Sequence, residues 1–251
     1  MEFHVKSAVI KINIATPTAL WKTVTQRFKA GDGFTLATLN LDHLVKLSSS
    51  HDFRQAYGQH DIIVADGNPI VWLSYLAKKP VTLMPGSELI LPLAQLAAKE
   101  RVKLALVGST DVTLQKAALV LCERLPDLEV IICIAPPFGF DPSGPKADTI
   151  LQQLSHSGAG LCFVALGAPK QEVFAIHGRK TVPHMGFVSI GAGLDFIAGD
   201  QVRAPKWIQK FALEWLWRMS FNPIRLGPRY VRCISILPKL IADALRLRFK
   251  E

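Results

Sequence analysis

Leu161-Cys162-Phe163-Val164-Ala165-Leu166-Gly167-Ala168-Pro169-Lys170-Gln171-Glu172 is the stretch on which the fold class turns. An unbroken apolar run with no polar face reads as a strand covered on both sides, the habit of parallel sheets between helix layers. The run breaks at Gly167, and Pro169 marks a helix start, where a missing N–H costs nothing. Leu104-Ala105-Leu106-Val107-Gly108 has the same form. On either side of these two, β-rich runs at Ala8–Ile14, Phe34–Leu39, Asp61–Ala65, Leu128–Ile134 and Phe187–Ile190 alternate with helical spacing. The helical stretches lie near 17–29, 40–57, 69–78, 87–100, 111–125, 144–156 and 169–179. This alternation predicts an α/β fold with a mostly parallel sheet. The cluster Pro136–Pro145 reads as a loop long enough to cover a site.

After Gly199 the pattern changes. Trp207, Ile208, Phe211, Ala212, Trp215, Leu216 and Met219 recur at helical spacing, predicting an amphipathic helix over Pro205–Phe221 that Asn222-Pro223 ends. Val231–Phe249 interleaves Ile234, Leu237, Leu240, Ile241 and Leu245 with Arg232, Lys239, Arg246 and Arg248. The chain therefore divides into an α/β body over 1–202 and a basic helical appendage over 203–251.

Charge follows the same division. Of the net +9, the appendage carries 11 Lys/Arg against 3 Asp/Glu, and the body 18 against 17. A basic tail on a near-neutral body suits a polyanion: a membrane surface, a nucleic acid or a phosphorylated substrate. With 49% hydrophobic and 20% charged residues the chain is too apolar for disorder. It holds no apolar run long enough to span a bilayer. Its start, Met-Glu-Phe-His-Val-Lys, lacks the blocks of a signal peptide. Cys122, Cys133, Cys162 and Cys233 form no CxxC pair and read as reduced thiols of a cytoplasmic protein, not zinc ligands.

In open α/β sheets, ligands bind beyond the carboxyl ends of strands. Four predicted strand ends carry suitable groups: Thr38-Leu39-Asn40, Ala65-Asp66-Gly67, Val107-Gly108-Ser109-Thr110 and the Leu166–Glu172 turn. A glycine turn into a helix start can seat an anion, because the first backbone N–H groups lack partners. Asp66 stands out. It follows four apolar residues and precedes Gly67, so it sits at a strand end, where a carboxylate can serve as general base. The plainer alternatives are capping and tight turns, an Asx-turn in the case of Asp66. There is no D-x-D, no G-x-x-x-x-G-K-[ST] and no H-E-x-x-H, so no metal site, P-loop or zincin helix is expected. Gly191-Ala192-Gly193-Leu194-Asp195-Phe196 is half a dinucleotide fingerprint, with Phe196 where glycine or alanine belongs. His184 reads as a loop or core histidine.

Together these segments resemble the WecG/TagA/CpsF family of bacterial glycosyltransferases over roughly residues 8–232. The motifs are Thr38/Asn40, Ala65-Asp66-Gly67 with Val71-Trp72, LGAPKQE at 166–172, GAGLDFIAG at 191–199, and RAPKWIQK…LEWLWR…PIRL…RY at 203–230. The resemblance implies a Rossmann-like core and an appendage that closes the site and meets the membrane. It implies inverting, metal-independent transfer from a UDP-sugar to a sugar on undecaprenyl diphosphate, on the cytoplasmic face of the plasma membrane. The sugar moved is often N-acetylmannosamine or its uronic acid. Asp66 matches the family's general base. Thr38, Asn40 and Gln171 match its polar pocket, and Arg218, Arg225 and Arg229 its appendage arginines. Gly108 is the further anion seat. At Leu83–Glu88 the chain departs: the Arg that members carry before G-x-D is missing, and Glu88 replaces the Asp. A glucosyl or other hexosyl transferase of an exopolysaccharide pathway is the alternative within the family.

Two other classes compete. A nucleic-acid-binding module would need aromatic platforms beside its basic groups, but Trp207 and Trp215 fall on the apolar stripe. A nucleotide-cofactor oxidoreductase lacks its third glycine. The expected partners are therefore a UDP-sugar, a polyprenyl-diphosphate-linked sugar and an anionic membrane surface, with room for self-association and with no nucleic acid, metal or cofactor.

Overall fold

The computed structural model describes residues 1–201, 205, 208, 214–221 and 223–249, without the side chains of Arg218, Phe221 and Arg225. Inside a six-stranded sheet, β3 (Phe34–Leu39) is buried at every residue. It is joined by β4 (Ile62–Ala65), β5 (Leu104–Gly108), β6 (Val130–Ile134), β7 (Leu161–Ala165) and β8 (Gly186–Ser189). All pairings in this sheet are parallel and the order is β4-β3-β8-β7-β5-β6. The unbroken apolar runs are thus central strands, as the sequence predicts. Only β6 is half-exposed, as befits an edge.

Helices cover both faces. On one face α1 (Pro17–Ala30), α5 (Gly86–Lys99), α6 (Asp111–Arg124) and the short α9 (Gly193–Ile197) enclose a core with Leu20, Leu93, Leu121, Leu106 and Phe163. On the other, α7 (Pro145–Ser157) and α8 (Lys170–Thr181) pack Leu154 and Phe174 against Val107 and Phe187. A third cluster joins α2 (Leu41–Ser49), α3 (His51–Gly58) and α4 (Asn68–Leu76) to an N-terminal hairpin of β1 (Glu2–Val5) and β2 (Ala8–Lys11).

Three local readings are corrected. The single helix expected over 40–57 is two, broken at Ser50, whose backbone is extended. Its side chain accepts from Phe53 N–H while its own N–H closes α2 on the Lys46 carbonyl. The hairpin strand β1 and the helix α9 were not foreseen. In the appendage, α10 (Glu214–Phe221) falls within the first expected helix, whose residues 206, 207 and 209–213 lie outside the described ones, while the expected second segment is split between the end of α11 (Pro223–Ser235) and α12 (Leu237–Arg248). Trp207, Phe211, Ala212 and Asn222 lie outside the described residues. The helix α11 packs on α2 and α12 on α4. Leu240 and Ala244 of α12 are buried in the same cluster as Leu73 and Ala77.

Candidate active site

Parallel register brings the ends of β3 and β4 level, with Thr38 beside Val64 and Leu39 beside Ala65. The Asp66 N–H then donates to the Leu39 carbonyl at 2.8 Å. The half-buried Asp66 carboxylate accepts at Oδ2 from Asn40 Nδ2 at 3.2 Å and from Thr38 Oγ1 at 3.4 Å. Gly67 follows at φ +95°, a conformation that turns the strand sharply into α4 and that side-chain-bearing residues rarely adopt. Three of the residues singled out from sequence are therefore in mutual contact.

Asn40 also caps α2. Its Oδ1 accepts from the His43 N–H at 3.0 Å, which leaves Nδ2 for Asp66. The carbonyl of Thr38 lies 2.6 Å from His43 Nδ1 and accepts from the Tyr57 hydroxyl at 2.9 Å. Burial holds the His43 ring down to about 4 and pushes the Tyr57 phenol well above its usual range.

Across the β3–β8–β7 seam stands the LGAPKQE turn. Gln171, 2% exposed, donates from Nε2 to Glu172 Oε1 at 2.8 Å and accepts at Oε1 from the Gly191 N–H at 3.0 Å. Both ends of its amide are engaged within the protein, tying the first turn of α8 to the loop after β8. A substrate contact would use its second N–H or its remaining lone pair. Glu172 is fully buried, and burial pushes its carboxyl up to about 7. Lys170 reaches back to the Phe140 carbonyl at 2.7 Å and so anchors the 136–145 loop over α8.

The chain leaves β5 outward for β6 and leaves β7 the opposite way for β8, which makes the space between these strand ends a topological switch point. Gly108 sits there at φ +123°, and a Cβ on it would stand 2.3 Å from the Ala165 carbonyl oxygen. Close approach of β7 is what requires the glycine. The neighbouring anion seat is partly filled from within: Ser109 donates to Asp195 Oδ1 at 2.7 Å, and Thr110 Oγ1 caps α6 by accepting from Thr113 N–H at 3.2 Å. By contrast, neither Gly67 before α4 nor Pro169 before α8 supplies a side-chain cap.

Arg229 comes to the rim on α11. Its Nε lies 3.0 Å from Asp42 Oδ1, while Lys46 Nζ lies 2.8 Å from Asp42 Oδ2 and donates to the Ala168 carbonyl at 3.0 Å. Burial would raise the Asp42 carboxyl, but Lys46 and Arg229 hold it below its ordinary value. A cleft of about 270 Å³ between α2 and α11 is lined by these three together with Ser49, Leu226 and Arg232. The side chains of Arg218 and Arg225 lie outside the described residues.

Sequence reasoning missed His43, Tyr57 and Lys46, and passed over Glu172 inside a block it quoted. A charged residue in the first turn of a helix ordinarily faces water, and nothing local marks this one as interior. Among the described residues, no three His, Cys, Asp or Glu side chains converge where a metal ion could be held.

The family model described as "Glycosyl transferase WecG/TagA/CpsF family" matches residues 5–250. Over 216 residues, 85% of this chain and 80% of the relative, the sequence is 24% identical to the N-acetylglucosaminyldiphosphoundecaprenol N-acetyl-beta-D-mannosaminyltransferase of Bacillus subtilis (strain 168). Over 205 residues, 81% and 78% of the two chains, it is 27% identical to the protein of the same name from Staphylococcus aureus (strain NCTC 8325 / PS 47).

Proposed function

Since this chain belongs to the WecG/TagA/CpsF family of glycosyltransferases, we propose that it moves an N-acetylmannosamine-type sugar from a UDP donor to a sugar on undecaprenyl diphosphate. The reaction inverts the anomeric carbon, needs no metal and serves cell-surface polysaccharide synthesis. The observation that carries this reading is Asp66, a half-buried carboxylate oriented by Thr38 and Asn40 at the carboxyl edge of a parallel sheet.

Asp66 takes the proton of the acceptor hydroxyl as that oxygen attacks the anomeric carbon from the face opposite the leaving UDP. Charge developing on the diphosphate is met by backbone N–H groups at the starts of α4 and α8 and by the appendage arginines. One preorganised donor of this kind is worth about 3–4 kcal/mol, and guanidinium groups suit a diphosphate because they bind it bidentately. Arg229 reaches the leaving group by exchanging its Asp42 partner for phosphate.

A hexose donor is the second reading, favoured by the departure at Leu83–Glu88. Leu83 pairs with Ala65 as an isolated bridge and the Met84 N–H donates to the Ala65 carbonyl at 2.8 Å. The stretch that lacks the arginine thus begins with an aliphatic side chain paired one residue from Asp66.

The acceptor's lipid calls for a membrane surface, and no helix among the described residues is long and apolar enough to cross one. Instead α11 exposes Ile224, Val231 and Ile234, and α12 exposes Ile241 and Leu245, with Phe249 beyond its end. Arg232, Lys239, Arg246 and Arg248 are exposed among them. Such a face lies on an anionic leaflet rather than in it, here the cytoplasmic leaflet of the plasma membrane.

The test is a panel of UDP-sugars against short-chain lipid-diphosphate sugars, read by UDP release with and without excess EDTA. UDP-N-acetylmannosamine with a lipid-diphosphate N-acetylglucosamine should turn over equally well in chelator. Turnover only with a UDP-hexose selects the second reading. A rate that collapses in EDTA and returns with Mg²⁺ or Mn²⁺ refutes metal independence, and no UDP release with any pair refutes both readings.

A further inference from the structure

Beneath Asp66 lies a buried polar assembly that the mechanism above leaves unused. His43, 5% exposed, stands in the first turn of α2 and touches both of the base's donors. Its ring reaches the Thr38 carbonyl at 2.6 Å, and its backbone N–H fixes Asn40 Oδ1 at 3.0 Å. A carbonyl only accepts, so Nδ1 carries the ring proton, and in the neutral ring Nε2 is left as an acceptor. Phe53 and Tyr57 pack against the ring at centroid distances of 6.1 and 5.9 Å and fix its plane.

Facing Nε2, at 4.0 Å, is Glu172 Oε1. Glu172 is 0% exposed, and its second oxygen has no hydrogen-bond partner. A carboxylate left half-paired in the interior is costly, and protonation removes most of the cost. Burial acts in that direction, pushing Glu172 up to about 7 and the His43 ring down to about 4. Below about pH 7 the proton therefore lies on the carboxyl side, and Oε1, which also accepts from Gln171 Nε2 at 2.8 Å, faces an imidazole nitrogen able to accept a hydrogen bond.

We infer that His43 and Glu172 are positioning residues for the base: the Glu172 carboxyl steadies the His43 ring, and His43 sets the two side chains that aim Asp66. The inference rests on the reading of Asp66 as general base. It makes the LGAPKQE turn on α8 a support for a carboxylate carried by β4.

A double-mutant cycle tests it. His43→Phe keeps the ring volume and removes both nitrogens. It should lower kcat by about 10–100-fold while the Kd for the UDP-sugar stays within about twofold. In an Asp66→Asn background the same change should cost almost nothing more, because positioning acts through a group no longer able to take the proton. Glu172→Leu should lower kcat about tenfold, and Glu172→Gln, which keeps donor and acceptor, should recover most of that loss. His43→Asn restores a donor to the Thr38 carbonyl and should recover part of the turnover that His43→Phe loses. Selective ¹⁵N labelling of histidine in the wild-type chain should show His43 as the Nδ1–H tautomer, with its Nε2 resonance moved by Glu172→Gln. Equal losses from His43→Phe in both backgrounds, unchanged kcat in a folded His43→Phe protein, or an Nε2–H tautomer would each overturn the inference. Near-wild-type turnover of Asp66→Asn alone would instead overturn the base assignment, so the two failures are told apart.

Discussion

At Asp66 the expectation is simplest. Asp66→Asn keeps size and hydrogen bonding but cannot take a proton, so turnover should fall by roughly 10²–10⁴-fold while the fold and UDP-sugar binding persist. A folded variant with near-wild-type turnover would contradict the role. The sequence exposed this residue because a lone carboxylate after four apolar positions has few places to be except a strand end. It hid Glu172 and His43, whose burial depends on which helix the sheet order sets opposite α2. Their opposite shifts also give a pH signature. Glu172 binds its proton more tightly folded than unfolded, so its stabilising contribution is complete below the ordinary carboxylate range and is lost as pH rises through about 7. His43 and His60 are held neutral by burial, down to about 4, so their contribution is complete above the ordinary histidine value and is lost as pH falls toward about 4. Glu172→Gln should therefore flatten the alkaline decline, by roughly 2–3 kcal/mol at most, in denaturation midpoints compared between pH 5 and pH 8.5. An undiminished alkaline decline in the variant would show that another group causes it.

Among strands and helices, the central strands were the most legible, because an unbroken apolar run has only one comfortable setting. The breaks were least legible. Ser48-Ser49-Ser50 sits inside a pattern whose helical periodicity continues, and only the reciprocal capping at Ser50 shows why two helices form. The β1–β2 hairpin escaped notice because Lys6, rather than a glycine or asparagine, adopts the positive φ of +53° at its turn. Gly108 looked like a phosphate seat and is first a packing requirement. Gly108→Ala combines a left-handed φ with a Cβ that meets the Ala165 backbone. It should destabilise the protein by more than about 3 kcal/mol or leave it insoluble. A soluble Gly108→Ala protein with an unchanged urea midpoint would show that β5 and β7 can separate at little cost.

For the molecule as a whole, we propose that residues 1–202 and 203–251 are functionally distinct units, though they are not mechanically independent. A cut before Arg203 removes 11 of the 29 Lys/Arg and strips Leu240 and Ala244 from the cluster beneath α4. The shortened body should keep its sheet but melt several degrees lower, since losing one buried leucine costs about 2–5 kcal/mol. Binding to anionic vesicles should be lost as well, each Lys or Arg near the leaflet being worth about 1 kcal/mol. A soluble acceptor should not restore its rate, because Arg229 leaves with the appendage. Full rate on that acceptor together with undiminished vesicle sedimentation would refute both assigned roles. The strand order has a last consequence, in the time domain of protein synthesis. Among the described residues the strand made last is β8, and it pairs with both β3 and β7. On the ribosome the earlier strands can form only two separate part-sheets, one bearing Thr38, Asn40 and Asp66, the other Gly108 and the Gln171 turn. The nascent chain therefore carries two unzipped sheet edges until residue 189 emerges, and its exposure to misassembly ends with a single late insertion.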